Sequence, residues 1–173
     1  MRYGLAASSW FVVLALLGAM LSGRAAAYAE DDAALVTVED IVVKISGIPP
    51  VETESLPPET LCNLHVVLRN DGTQNAYSFG FDVEINGEAV PVYDNVVYFQ
   101  AIEPGASGTI ALYNFYSPAE SPDGTVEITV NLRKARWVEI KQEDEAQVWT
   151  PTGDVEGLPS AKTVQLPLQA ADD

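Results

Sequence analysis

Cysteine and histidine are almost missing from this sequence. The 173 residues include one of each, Cys62 and His65. A lone cysteine excludes an internal disulfide framework and any cysteine-rich zinc or redox centre. A lone histidine excludes a multi-histidine metal site and leaves few ways to build a hydrolytic triad. Basic residues are scarce as well. Nine Lys and Arg stand against 25 Asp and Glu, giving a formal net charge of −16 and an isoelectric point near 4.1. Phosphate neutralisation needs clustered Lys and Arg, so this balance argues against nucleic-acid binding. Neither a G-x-S-x-G nucleophile motif nor a glycine-rich phosphate loop occurs.

Long apolar runs are absent except at the start. Trp10 to Leu21 is a run of twelve apolar residues, preceded by Arg2 and followed by two A-x-A sequences, Ala25-Ala26-Ala27 and Ala27-Tyr28-Ala29. Such a run is short for a membrane span and right for a signal h-region. The pattern predicts a signal peptide over residues 1–29 and a single domain over residues 30–173. An uncleaved anchor over the uncharged stretch Tyr3 to Gly23 is the alternative. Export to the periplasm or outside the cell is expected, with no stable membrane insertion after cleavage. The mature chain then keeps seven basic residues against 25 acids, a net charge of −18. That charge favours solubility and repels acidic polymers and anionic membranes.

The rest alternates with period two, and no window shows a helical apolar face. Tyr77, Phe79, Phe81, Val83 and Ile85 alternate with Ser78, Gly80, Asp82 and Glu84. Asn86-Gly87 follows, the strongest short hairpin signal. Glu88 to Val92 returns as its partner, and Pro91 marks that strand as an edge. Val36 to Ile45 reads as a strand whose parity flips at Glu39-Asp40, by a bulge or a change of sheet. Leu61 to Arg69 ends in the turn Asn70-Asp71-Gly72-Thr73. Val96 to Ile102, Thr109 to Tyr116 and Val126 to Leu132 are further strands. Trp137 to Ile140 continues the last past a bend at Arg133-Lys134, and Val164, Leu166 and Leu168 close the chain. The Pro-rich link Ser46 to Thr60 reads as a crossing between sheets. Gln142 to Ser160 reads as an extended loop with one short strand at Val148-Trp149. Seven or more short strands with regular turns predict an all-β, immunoglobulin-like antiparallel β-sandwich.

Three segments carry a family resemblance. Leu64 to Thr73 (LHVVLRNDGT), Phe81 to Val90 (FDVEINGEAV) and Ile102 to Leu112 (IEPGASGTIAL) resemble the strands and turns of CARDB domains, the cell-adhesion-related, immunoglobulin-like modules of bacterial exported proteins. The likeness runs from Val36 to Leu132. The paired asparagines that close the family's acidic segment have no counterpart after Glu139 to Glu145. The resemblance implies an extracytoplasmic binding or spacer module with no shared catalytic residues.

Few side chains offer chemistry. Cys62 and His65 are three apart in a strand, so they face opposite ways, with Cys62 on the apolar side. Asp82 and Glu84 share a polar strand face at about 7 Å, a spacing inverting glycosidases use. Catalysis would also need one of them desolvated, and Ser78 and Gly80 offer no apolar pocket. No cofactor is expected. Calcium is the alternative, held by loop carboxylates at Glu143-Asp144-Glu145, Asp154, Glu156, Asp71, Asp94 and Asp123, although no EF-hand run is present. Tyr113, Trp137 and Trp149 are the candidate binding aromatics, suited to sugar stacking if exposed and to the core if not. Arg133, Lys134, Arg136 and Lys141 gather four of the seven mature basic residues, as a docking patch for an acidic partner or as charges neutralised locally.

The function expected is therefore a non-enzymatic, exported binding or spacer module that engages a protein or an envelope polysaccharide. A carbohydrate- or calcium-dependent binding module is the alternative, and a small hydrolase using Asp82 and Glu84 ranks last.

Overall fold

The computed structural model describes residues 35–92, 100–144 and 146–170. The chain divides into Met1–Asp32 and Ala33–Asp173, and every described residue belongs to the second unit. The expected signal peptide, most of the Val96 to Ile102 strand, Asp94 and Glu145 lie outside the described residues.

Among the described residues, β-branched and aromatic residues alternating with polar ones build nine strands. They are β1 (Val36–Ile45), β2 (Val51–Glu52), β3 (Leu61–Asn70), β4 (Asn75–Ile85), β5 (Glu88–Val90), β6 (Ser107–Tyr116), β7 (Thr125–Glu143), β8 (Ala146–Asp154) and β9 (Ser160–Pro167). Sheet one has the order β2-β1-β3-β6. Sheet two has the order β5-β4-β7-β8, with β9 also on β7. Every ladder between strands is antiparallel. This is an all-β, immunoglobulin-like sandwich. Its core is the meeting of two apolar faces: Val43, Leu64, Val66, Leu68 and Ile110 from sheet one, and Phe81, Val83, Val126, Ile128, Val130 and Leu132 from sheet two, all at 2% exposure or less. Burying each of the larger side chains contributes roughly 1.5–3 kcal/mol.

Several expectations are met at the level of single residues. Asn86 and Gly87 both have positive φ, 52° and 76°, as a hairpin turn matched to strand twist requires. β5 is an edge strand that stops before Pro91. The register of β1 on β3 shifts between Val38 and Asp40, so the parity flip at Glu39 is a bulge within one sheet. Cys62 is fully buried, and His65 points the other way.

Other expectations need correction. Ser46 to Thr60 does not carry the chain between sheets, because β1 and β3 are neighbours in sheet one. Instead the link folds β2 back onto β1 and then meets the last strand. There Leu56 N–H donates to Pro167 O and Gln169 N–H donates to Leu56 O, each at 2.8 Å. Tyr77 does not share the core face of Phe79. Ser78 has φ 56°, the β4–β7 register shifts there, and Ala76 takes the buried position. Gln142 to Ser160 is not a loop with a token strand: β8 runs nine residues and pairs with β7 from Arg136 to Glu143.

β7 organises sheet two. It is 19 residues long. Its first half pairs with β9, from Thr125↔Pro167 to Leu132↔Ser160, and its second half pairs with β8. There is no break at Arg133-Lys134, only a bulge: Phe81 pairs with Leu132 and Gly80 with Lys134. Both bulge residues are exposed while Ala135 is buried. A second shift, between Trp137 and Val138, buries two successive residues, at 9% and 1% exposure.

The crossing from sheet one to sheet two is held by Asn70, which is fully buried. Its Nδ2 donates to Gln74 O and Ile102 O, both at 2.8 Å. Its Oδ1 accepts from Gly72 N–H at 3.0 Å. The backbone of Asn70 also ties in Ala106 and Gly105. One amide thus ties together three backbone groups, supplying the acceptor for the buried Gly72 N–H and a second donor to Ile102 O beside Ala76 N–H.

Candidate binding groove

The outer half of β7 and its partner β8 form an exposed two-stranded arm. Antiparallel register places directly opposed residues on one face. Ile140 opposes Trp149 and Gln142 opposes Gln147 on one side. On the other side stand Glu139 opposite Thr150 and Lys141 opposite Val148, with Lys141 Nζ 3.0 Å from Glu139 Oε2. The two faces differ in chemistry: one carries an indole, an isoleucine and two amides, the other carries the charges.

The Trp149 side borders a groove of about 710 Å³. Asn75, Ile102, Glu103, Ala106, Ser107, Gly108, Ile140, Gln147 and Trp149 are among its walls. That volume is within the roughly 300–1,000 Å³ of small-ligand sites. Ile102 is 4% exposed, and a Cβ on Gly108 would come within 2.8 Å of Ile102 Cγ1, so a larger residue at 108 would push this wall aside. Trp149 is held by its ladder with Ile140 and by an edge-on contact with Tyr77, ring centroids 6.2 Å apart and planes at 68°. Among the described residues, Glu103 is the one formal charge on the walls.

The other residues singled out by the sequence stand elsewhere. Trp137 is not a surface residue. It faces the core at 9% exposure, because the bulge at Arg133-Lys134 resets the parity of β7. Tyr113 is partly buried against the core, opposite Leu64 and just past a register shift in the β3–β6 ladder. Three of the four basic residues are ion-paired with carboxylates. Arg133 Nε lies 2.9 Å from Asp82 Oδ1, and Arg136 Nε lies 3.4 Å from Asp154 Oδ1; Lys141 is taken by Glu139 as above. Lys134 is exposed at the β7 bulge. Exposed pairs of this kind contribute about 0–1 kcal/mol each.

Asp82 and Glu84 do lie on one strand, beside a small concavity of about 290 Å³ lined also by Thr129 and Asn131. Both are exposed, and Asp82 is taken by Arg133. The apolar enclosure that an acid–base pair needs is lacking there. Among the described residues, no three Cys, His, Asp or Glu side chains gather as metal ligands, and Asp71 and Asp154 are bound to Arg69 and Arg136. Sequence reasoning pointed to Trp149 but missed Asn75, Glu103, Ser107 and Gln147. These come from separate segments, and only the tertiary fold brings them together.

An immunoglobulin-like antiparallel sandwich with an open, nearly uncharged groove is thus the class of protein that these residues build. No protein-family model matches the chain, and no curated protein matches its sequence. Among solved structures, it is similar to the CARDB domain of the PF1109 protein from Pyrococcus furiosus, a structure in complex with di-metal ions. Identity is 18%, the match covers 77% of this chain and 92% of that one, and the TM-score is 0.40. It is also similar to the C-terminal domain of wzt, at 10% identity over 81% of this chain and 77% of that one, with a TM-score of 0.39.

Proposed function

We propose that this protein is a non-catalytic binding module that works outside the cytoplasm, without a cofactor, and engages a protein or polysaccharide of the cell envelope. The groove beneath Trp149 carries this reading: a preformed concavity with a fixed aromatic wall and amide and hydroxyl groups around it. Among its described lining residues, nothing resembles a nucleophile–base pair. The leader-like sequence from Arg2 to Ala29 supports export, and the excess of acids over bases speaks against nucleic acid as partner. No helix among the described residues is long and apolar enough to cross a membrane.

The test is retention of envelope material by the immobilised protein. Material retained by the native chain and lost with Trp149→Ala, at unchanged Tm, supports the reading. Failure to retain anything from the source organism's own envelope refutes it.

A further inference from the structure

The groove has a chemical bias that narrows its ligand. Among the described residues its walls carry one carboxylate, Glu103, and no Lys or Arg, against side-chain amides at Asn75, Gln100 and Gln147 and hydroxyls at Ser107 and Thr109. We propose that the groove is a subsite for an uncharged glycan, with Trp149 as the stacking wall and Asn75, Gln147, Ser107 and Glu103 as hydroxyl partners. This assignment rests on the binding-module reading and gives it a ligand class.

Three observations converge on it. The first is electrostatic. Among the described lining residues a cationic ligand would find a single carboxylate, and an anionic one would find no positive group while approaching a strongly negative protein. A neutral polar ligand pays neither cost. The second is the match of functional groups. Sugar hydroxyls are donors and acceptors at once, and the side-chain amides of Asn75 and Gln147 offer both as well. Glu103 adds a charge-assisted acceptor. The C–H-bearing face of a pyranose ring is apolar and slightly positive, which suits the negative face of an indole. The third is preorganisation. Trp149 sits in a ladder position opposite Ile140 and against the Tyr77 ring, so little side-chain freedom remains to be lost on binding. Asn75 stands at the start of β4, in register with Val138 of β7, and so is anchored in the same sheet.

Affinity electrophoresis of the purified exported protein tests this, in gels containing dextran, β-1,3-glucan or mannan, with alginate as the polyanionic control. At least one neutral polymer is expected to retard the native protein, and alginate is not. Trp149→Ala should weaken retardation at least tenfold, Gln147→Ala should weaken it several-fold, and Trp149→Phe should restore part of it. Gln147 is exposed, so its variant still decides the matter if loss of the indole unfolds the arm. Retardation by none of the neutral polymers overturns the proposal, as does retardation that both alanine variants leave intact or that alginate exceeds. The two readings separate when envelope material is oxidised with periodate before capture. Retention that survives periodate sinks the glycan assignment and leaves the binding module standing; no retention in either case sinks both.

Discussion

Gly72 lies against the tip of the Trp137 indole. A Cβ built on Gly72 would overlap Trp137 Cη2 and come within 3.1 Å of both Cζ3 and Asn70 Oδ1. The turn that leads from sheet one to sheet two is therefore packed as tightly as the core, and the ring closing it belongs to the strand that runs the length of sheet two.

Gly72→Ala should accordingly destabilise the protein by about 1–3 kcal/mol, the usual range for overpacking a filled site. In a Trp137→Phe background the added methyl has room, and its penalty should shrink. Urea melts of the four proteins of this cycle measure the coupling. Additive effects would show that the two residues do not constrain each other.

Asn70→Ala strips the crossing of its amide. Gly72 N–H then loses its acceptor in the interior, Gln74 O loses a donor, and Ile102 O keeps only Ala76 N–H. At about 1–3 kcal/mol for a buried group left unsatisfied, a loss of about 1–3 kcal/mol is expected. Asn70→Asp keeps the acceptor and loses both donors, so it should be destabilised too. A stability change below about 0.5 kcal/mol in the alanine variant, the level of an ordinary surface substitution, would contradict this role.

The sequence showed some of this and hid the rest for definite reasons. Alternation in Val126 to Leu132 and in Leu61 to Arg69 survives into the structure because each segment packs one face on one core. Asn86-Gly87 was readable because its conformation demands those residue types. Tyr77 and Trp137 were misplaced by bulges at Ser78 and Arg133, each adding one residue and flipping every side chain beyond it. No composition marks those positions. β8 was hidden because nearly all of it is exposed, so nothing imposes an apolar period. The groove was legible only through Trp149. Its other walls gain meaning from register and sheet order, which a linear pattern does not encode.

Cys62 should behave as an interior thiol. It is fully buried, its Sγ donates to Thr60 O at 3.4 Å, and burial raises its pKa above the ordinary value. Both effects suppress the reactive thiolate. Labelling with a thiol reagent should be slow in native protein and fast in urea. Rapid stoichiometric labelling without denaturant would contradict the register of β3.

His65 gives a pH dependence of known sign. Burial of its ring, with a smaller contribution from the Lys44 charge, holds its pKa below the ordinary value, about 6.5. The unfolded chain then binds more protons in the window just below that value. Stability from this group is complete above about pH 6.5 and declines as pH falls towards the folded pKa. Lys44→Gln should move the NMR titration midpoint up while leaving it below the ordinary value, since burial is the larger cause. A native midpoint at or above about 6.5 would be the wrong sign.

Salt should stabilise the folded state. A net charge of −16 repels itself, and screening cuts the range from about 10 Å at 0.1 M to about 3 Å at 1 M. Tm should rise with NaCl, and MgCl₂ and CaCl₂ should act alike at matched ionic strength. A shift produced by calcium alone would reveal specific sites, which add stability by mass action. A flat response to every salt would remove the repulsion argument.

The seam between the last strand and the first third of the chain has a consequence for the order of folding. Val38 N–H donates to Ser160 Oγ, 122 residues away, Lys162 Nζ reaches Asp40 at 3.2 Å, and Leu56 is hydrogen-bonded on both sides to the segment that ends β9. Partners so distant in sequence make loop closure slow. They also leave the lower edge of β7 and the flank of β1 uncovered until residues 160–169 are available. A nascent chain that has reached only β8 therefore lacks the piece that seals the sandwich, and the two sheets close on each other only once residues 160–169 pair.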